Sequence, residues 1–118
     1  MAKCFCGCGR RVGLFSVGLN RQGRKTAGLI EELRTTRGEL EAYGRQRGRK
    51  DIGPVLREYD EMIDEGDRYA RNWASLMHSY GTTPSSQDRA FMNDWAKWKR
   101  AARAHADARR LLPASADQ

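Results

Sequence analysis

The chain has 118 residues, enough for one domain with a modest core, and carries 22 Lys and Arg against 15 Asp and Glu, a formal net charge of +7. No apolar run approaches the ~20 residues that a membrane-spanning helix needs, so no membrane partner is expected. The basic balance favours acidic partners such as nucleic acid, but it is uneven: residues 1–50 hold 12 basic and 4 acidic side chains, residues 51–83 hold 3 and 7, and residues 84–118 hold 7 and 4. That pattern fits either a polyanion site or an acidic middle packed between two basic flanks.

The first predicted element is a knuckle. All three cysteines, Cys4, Cys6 and Cys8, stand at alternate positions near the start of the chain. Gly7 and Gly9 give the backbone freedom to turn the sulfurs toward one point, the donor arrangement that a soft four-coordinate ion such as zinc takes. Three thiols leave one unpaired in any disulfide, and Met1-Ala2-Lys3 leads into them without an apolar leader, so a reducing cytoplasmic setting is expected. Redox-active thiols, activated by Lys3, Arg10 and Arg11, and an iron–sulfur centre are the other chemistries the triplet allows.

The string Cys4-Phe5-Cys6-Gly7-Cys8-Gly9-Arg10 resembles the C-x-C-G-C-G zinc knuckles of small actinobacterial and actinophage proteins, in which a later Cys or His completes the site. The resemblance covers residues 4–10 alone. It implies zinc on Cys4, Cys6 and Cys8, and it suggests a nucleic-acid context.

After the knuckle, Val12 to Leu19 mixes apolar residues with glycine and reads as a short extended or looped segment, with Leu14, Phe15, Val17 and Leu19 packing over the end of a bundle. Asn20-Arg-Gln-Gly23 supplies turn chemistry. From Thr26, a potential cap, the apolar period becomes helical through Leu29, Ile30, Leu33, Thr36, Leu40 and Tyr43, predicting a helix over about 26–47 whose end Gly44 and Gly48 loosen. Arg45 to Lys50 is then either a solvated connector or a phosphate-binding loop.

Asp51 is the predicted cap of a second helix, about 52–80, with Pro54 in its first turn. Its seam runs Ile52, Val55/Leu56, Tyr59, Met62/Ile63, Gly66, Tyr69/Ala70, Trp73, Leu76/Met77 and Tyr80, with Gly66 placed for a bend or a close helix approach. Glu58, Asp60, Glu61, Asp64, Glu65 and Asp67 fall mainly off that seam, as a solvated face does. Gly81 ends the helix and Thr82 to Ser86 starts a third, about 85–112, with Phe91, Trp95, Trp98, Ala102, His105 and Leu112 on one stripe. Three helices with short connections predict an all-α, elongated, antiparallel three-helix bundle carrying an N-terminal zinc knuckle. The domain division is 1–25 for knuckle and connector, 26–112 for the bundle and 113–118 for a flexible tail.

That layout chooses between the histidines. His78, in the last turn of the second helix, belongs at the knuckle end, whereas His105 lies roughly 30 Å away along the rod by helix rise. The expected metal set is therefore Cys4, Cys6, Cys8 and His78, with Asp88 as the alternative fourth ligand. A closed Cys₃His site leaves no open position for water and is structural. The sequence holds no P-loop, no His-Glu-x-x-His and no nucleophile elbow, so no enzyme and no small-molecule substrate are expected. Trp73, Trp95 and Trp98 lie on helical seams and read as core before base-stacking groups.

The expected function is a small non-enzymatic zinc-knuckle protein contacting nucleic acid or a nucleoprotein complex. Lys3, Arg10, Arg11, Arg21, Arg24 and Lys25 at one end, with Arg45, Arg47, Arg49 and Lys50 at the other, would meet phosphates. The alternative is a helical assembly protein, a phage or bacterial accessory subunit, docking a protein partner through exposed seam residues such as Tyr59, Met92 and Trp98.

Overall fold

A computed structural model describes Phe5, residues 17–78 and residues 86–112, apart from the side chains of Val17, Met77, His78 and residues 86–88. Within these bounds run three helices, α1 (Val17–Arg47), α2 (Ile52–His78) and α3 (Ser86–Asp107), the last followed by a 3-10 turn over Ala108–Leu111. No strand occurs among the described residues. Ion pairs of Arg37 with Asp60 and Arg34 with Asp67 fix α1 antiparallel to α2. Thr26 meets Trp95 and Thr36 meets Ala106, which fixes α3 parallel to α1. The result is the up-down-up bundle, with principal extents of 54 × 30 × 19 Å.

The first helix begins at Val17 and not near Thr26. Asn20 and Gly23 read as a turn in sequence, but both are buried on α1: the Asn20 side chain accepts the Phe5 N–H at 2.9 Å, and a Cβ on Gly23 would collide with the Phe5 ring. Tertiary packing overrides local turn propensity here. Thr26 is consequently no cap. It is a 1% exposed mid-helix residue whose hydroxyl donates to the Gln22 carbonyl and accepts the Trp95 indole N–H, both at 2.8 Å. Val12 to Ser16, expected as a loop, lie outside the described residues.

The α1/α2 turn is closed by hydrogen bonds. Gly48 takes φ +63°, and the amides of Arg49 and Gly48 donate to the carbonyls of Gly44 and Arg45 at 2.9 and 3.3 Å, the paired bonds of a Schellman ending. Gly48 thus terminates the helix where the sequence suggested a loosened end. Gly44 abuts Ile52, and Asp51, expected as a cap, holds the Arg49 guanidinium with both oxygens at 2.9 and 2.7 Å.

The core follows the predicted stripes. Leu29, Ile30 and Leu33 from α1, Tyr59, Ile63, Tyr69 and Trp73 from α2, and Trp95, Trp98, Ala102 and Ala106 from α3 form one buried cluster. Trp73 meets Trp95 and Phe91 edge-on at 5.0 and 5.1 Å, and Tyr69 packs on Trp98 at 5.6 Å. At Gly66 all three helices converge: a Cβ there would fall on the Trp98 ring and 2.9 Å from Ile30. Side-chain polar groups cross between helices, Trp98 Nε1 to the Met62 carbonyl at 2.9 Å and Tyr59 Oη to the His105 carbonyl at 2.7 Å. Thr36 Oγ1 donates to the Ala106 carbonyl at 2.8 Å, so acceptors in the last turn of α3 are satisfied from both neighbours. Tyr59 and Trp98, expected on a partner-facing seam, are only 2% and 4% exposed, because the bundle consumes its own seam.

Candidate metal and nucleic-acid site

Within Cys4 to Arg10, Phe5 is the residue that the structure describes. Its ring rests over Gly23 in the groove between α1 and α2, with Ala27, Ile30, Ala70 and Ala74 along the walls, and its amide is bonded to the Asn20 side chain. The small residues make room for the ring. Ala74 stands one turn before His78 on α2, so the end of α2 lies at the pole where Phe5 is seated.

The proposed metal ligands Cys4, Cys6 and Cys8, and the side chains of His78 and Asp88, lie outside the described residues, as do Lys3, Arg10 and Arg11. Among the described residues no group of three His, Cys, Asp or Glu side chains is placed to hold a metal. His105 is engaged elsewhere, its Nδ1 2.9 Å from the Ala101 carbonyl and its Nε2 2.8 Å from the Glu58 carboxylate, with the ring edge on Tyr59. Both ring nitrogens face acceptors within the bundle.

The predicted phosphate-binding cations fall into two sets. Arg21, Arg24 and Lys25 are exposed on the early turns of α1, at the Phe5 pole. Arg45, Arg47, Arg49 and Lys50 are exposed around the α1/α2 turn, roughly 40 Å away by helix rise. Within the second set Arg45 lies 3.7 Å from Glu41, Arg47 covers the Tyr43 ring at 5.4 Å and Arg49 is held by Asp51.

A further group of cations lines the groove between α1 and α3: Lys25 from α1, with Lys99, Arg100 and Arg103 from α3, around Gly28, Leu29 and Glu32. Lys99 Nζ sits 4.3 Å over the Trp95 ring. Arg103 grips both oxygens of Glu32 at 3.0 and 2.8 Å, and Arg109 approaches the same carboxylate at 3.8 Å. The Arg103 hydrogen bonds, reinforced by the charges of Arg103, Arg109 and Arg110, hold the Glu32 carboxyl below its usual range. Lys99, Arg100 and Arg103 are not among the expected phosphate contacts, because the charge of a segment does not show which helix lies beside it. Their signal was present: the i, i+1, i+4 spacing puts all three beside the buried Trp95 and Ala102, facing Lys25 and Glu32 at i, i+7 on α1.

No helix among the described residues is long and apolar enough to cross a membrane. No protein-family model, no curated protein and no solved structure matches this chain.

Proposed function

We propose that the protein is a small non-enzymatic binding protein, in which Cys4, Cys6, Cys8 and His78 hold a structural zinc and the basic amino-terminal half contacts the phosphates of nucleic acid or of a nucleoprotein complex. The observation that carries the reading is the seating of Phe5. This residue is covalently flanked by Cys4 and Cys6, and its ring and amide are held against the early turns of α1 and the late turns of α2. Thiols adjoining Phe5 in sequence would have at the same pole the helix end that bears His78 and the exposed cations Arg21, Arg24 and Lys25. The zinc would then pin the amino-terminal segment to the bundle and present its basic residues at that pole.

Metal analysis of protein purified without added metal tests the first half. About one zinc per chain is expected in the wild type, with clear loss in both Cys6→Ser and His78→Ala. Metal-free wild type, or zinc content indifferent to Cys6→Ser, defeats the assignment, and loss in Cys6→Ser with retention in His78→Ala moves the fourth ligand to another group. For the second half, binding to a nucleic-acid duplex should be readily measured at low salt and be largely gone by about 0.5 M.

A further inference from the structure

We infer that the groove between α1 and α3 is a docking surface for the phosphodiester backbone of a nucleic-acid duplex. The inference rests on the nucleic-acid reading above and assigns its interface, which then includes a helix outside the amino-terminal half. The groove brings Lys25 of α1 together with Lys99, Arg100 and Arg103 of α3, against the single acid Glu32. Arg109 and Arg110 extend the same charge beyond Glu32, and Asp107 offsets part of it at 3.6 Å from Arg103.

Three properties of the groove suit it to an anion. Two of its cations are available: among the described residues neither Lys25 nor Arg100 has an ion-pair partner, while Arg103 is held by Glu32. Its one acid is already satisfied, because Glu32 is held by Arg103 on both oxygens and thereby fixes that guanidinium along the groove wall. Its floor is bare, because Gly28 is exposed and a Cβ there would meet nothing within 4 Å, so backbone and not side chain faces the visitor.

The chemistry of the ligand follows from what is missing around these cations. Single strands are held by aromatic stacking together with basic grooves, and Trp73, Trp95 and Trp98 are all buried in the core. What the groove presents is therefore charge and hydrogen-bond donors, which read phosphate and not base identity, and a duplex offers the higher density of phosphate charge. Binding should accordingly be indifferent to sequence and steep in salt.

The test uses the whole 118-residue chain and mixed-sequence 20-base-pair DNA and RNA duplexes, with affinity measured across a salt series. The Lys25→Gln/Arg100→Gln double variant touches two exposed side chains, and its thermal melt should match the wild type. Its affinity at 0.1 M salt should fall roughly 10-fold or more, and its log–log salt slope should shrink by about 2. The Arg57→Gln/Arg68→Gln control removes the same charge from α2 and should change affinity less than about threefold. Glu32→Gln, by removing the acid from the groove, should tighten binding and steepen the slope, a gain that a merely structural role would not give. If the wild type binds but the groove variant behaves like the α2 control, the groove assignment is overturned and the nucleic-acid reading stands. If the wild type binds neither duplex at low salt, both fall.

Discussion

The two interfaces of α1 solve opposite electrostatic problems. Against α2 its basic residues meet acids: Arg37 pairs with Asp60 at 2.6 Å, and Arg34 reaches Asp67 at 3.6 Å. Against α3 it meets another basic helix, and the contacts that join them are hydroxyl and indole hydrogen bonds, small alanines and one shared carboxylate, Glu32. Charge that is cancelled on the first side accumulates on the second. Among the described residues the positive charge is therefore unevenly spread, paired along α1/α2 and less so along α1/α3.

The largest effect that sharpens this contrast is at the centre. Trp98→Ala removes the ring that seats Gly66 and the bond to the Met62 carbonyl, and should cost about 3–5 kcal/mol in denaturant titration, since α3 touches both neighbours there. Next comes Thr26→Val, which takes the acceptor from the buried Trp95 indole and should cost about 1–3 kcal/mol while leaving the α1/α2 ion pairs intact. A loss below about 0.3 kcal/mol would break the claim that hydroxyls hold α1 to α3.

Gly28→Ala should stabilise by about 0.5–1 kcal/mol, because it adds helix propensity in open space, whereas Gly66→Ala should destabilise at the three-helix contact. The same sign for both would refute the distinction between an open groove and a closed core.

The smallest effects are in pH. Burial, followed by the hydrogen bond to Glu65, pushes the Tyr69 hydroxyl up to about 12, so the folded state keeps a proton that the unfolded chain releases near 10. The Tyr69 contribution should therefore be constant below pH 10 and decline between 10 and 12 by at most about 1.4 kcal/mol per unit, a slope that Tyr69→Phe would reduce. Glu32 works in the other direction: its lowered carboxyl contributes above about pH 4.5 and the contribution is lost as pH falls below that, faintly, because the pair is partly exposed.

Much of the bundle was legible because its cues were periodic. Leu29, Leu33, Tyr59, Ile63, Trp73, Trp95 and Trp98 follow helical spacing and are buried where that spacing puts them. The start of α1 was not, since Asn20 and Gly23 carry turn propensity and their helical role depends on Phe5, a residue remote in sequence. Thr26 misled for a related reason: a hydroxyl suited to capping a helix serves equally to receive an indole from another one. The α1/α3 groove was not legible because Lys25 and Lys99 are far apart in sequence, and only the parallel pairing of their helices makes them neighbours.

That parallel pairing has an effect on the field at the end of the molecule. Every peptide unit of a helix contributes to a macrodipole, equivalent to about half a positive charge at the amino end. α1 and α3 both begin at the Phe5 pole, and α2 alone ends there. Two amino ends against one carboxyl end leave that pole electropositive before any arginine is added, so a thiolate or a phosphate brought to it is stabilised by the backbone itself.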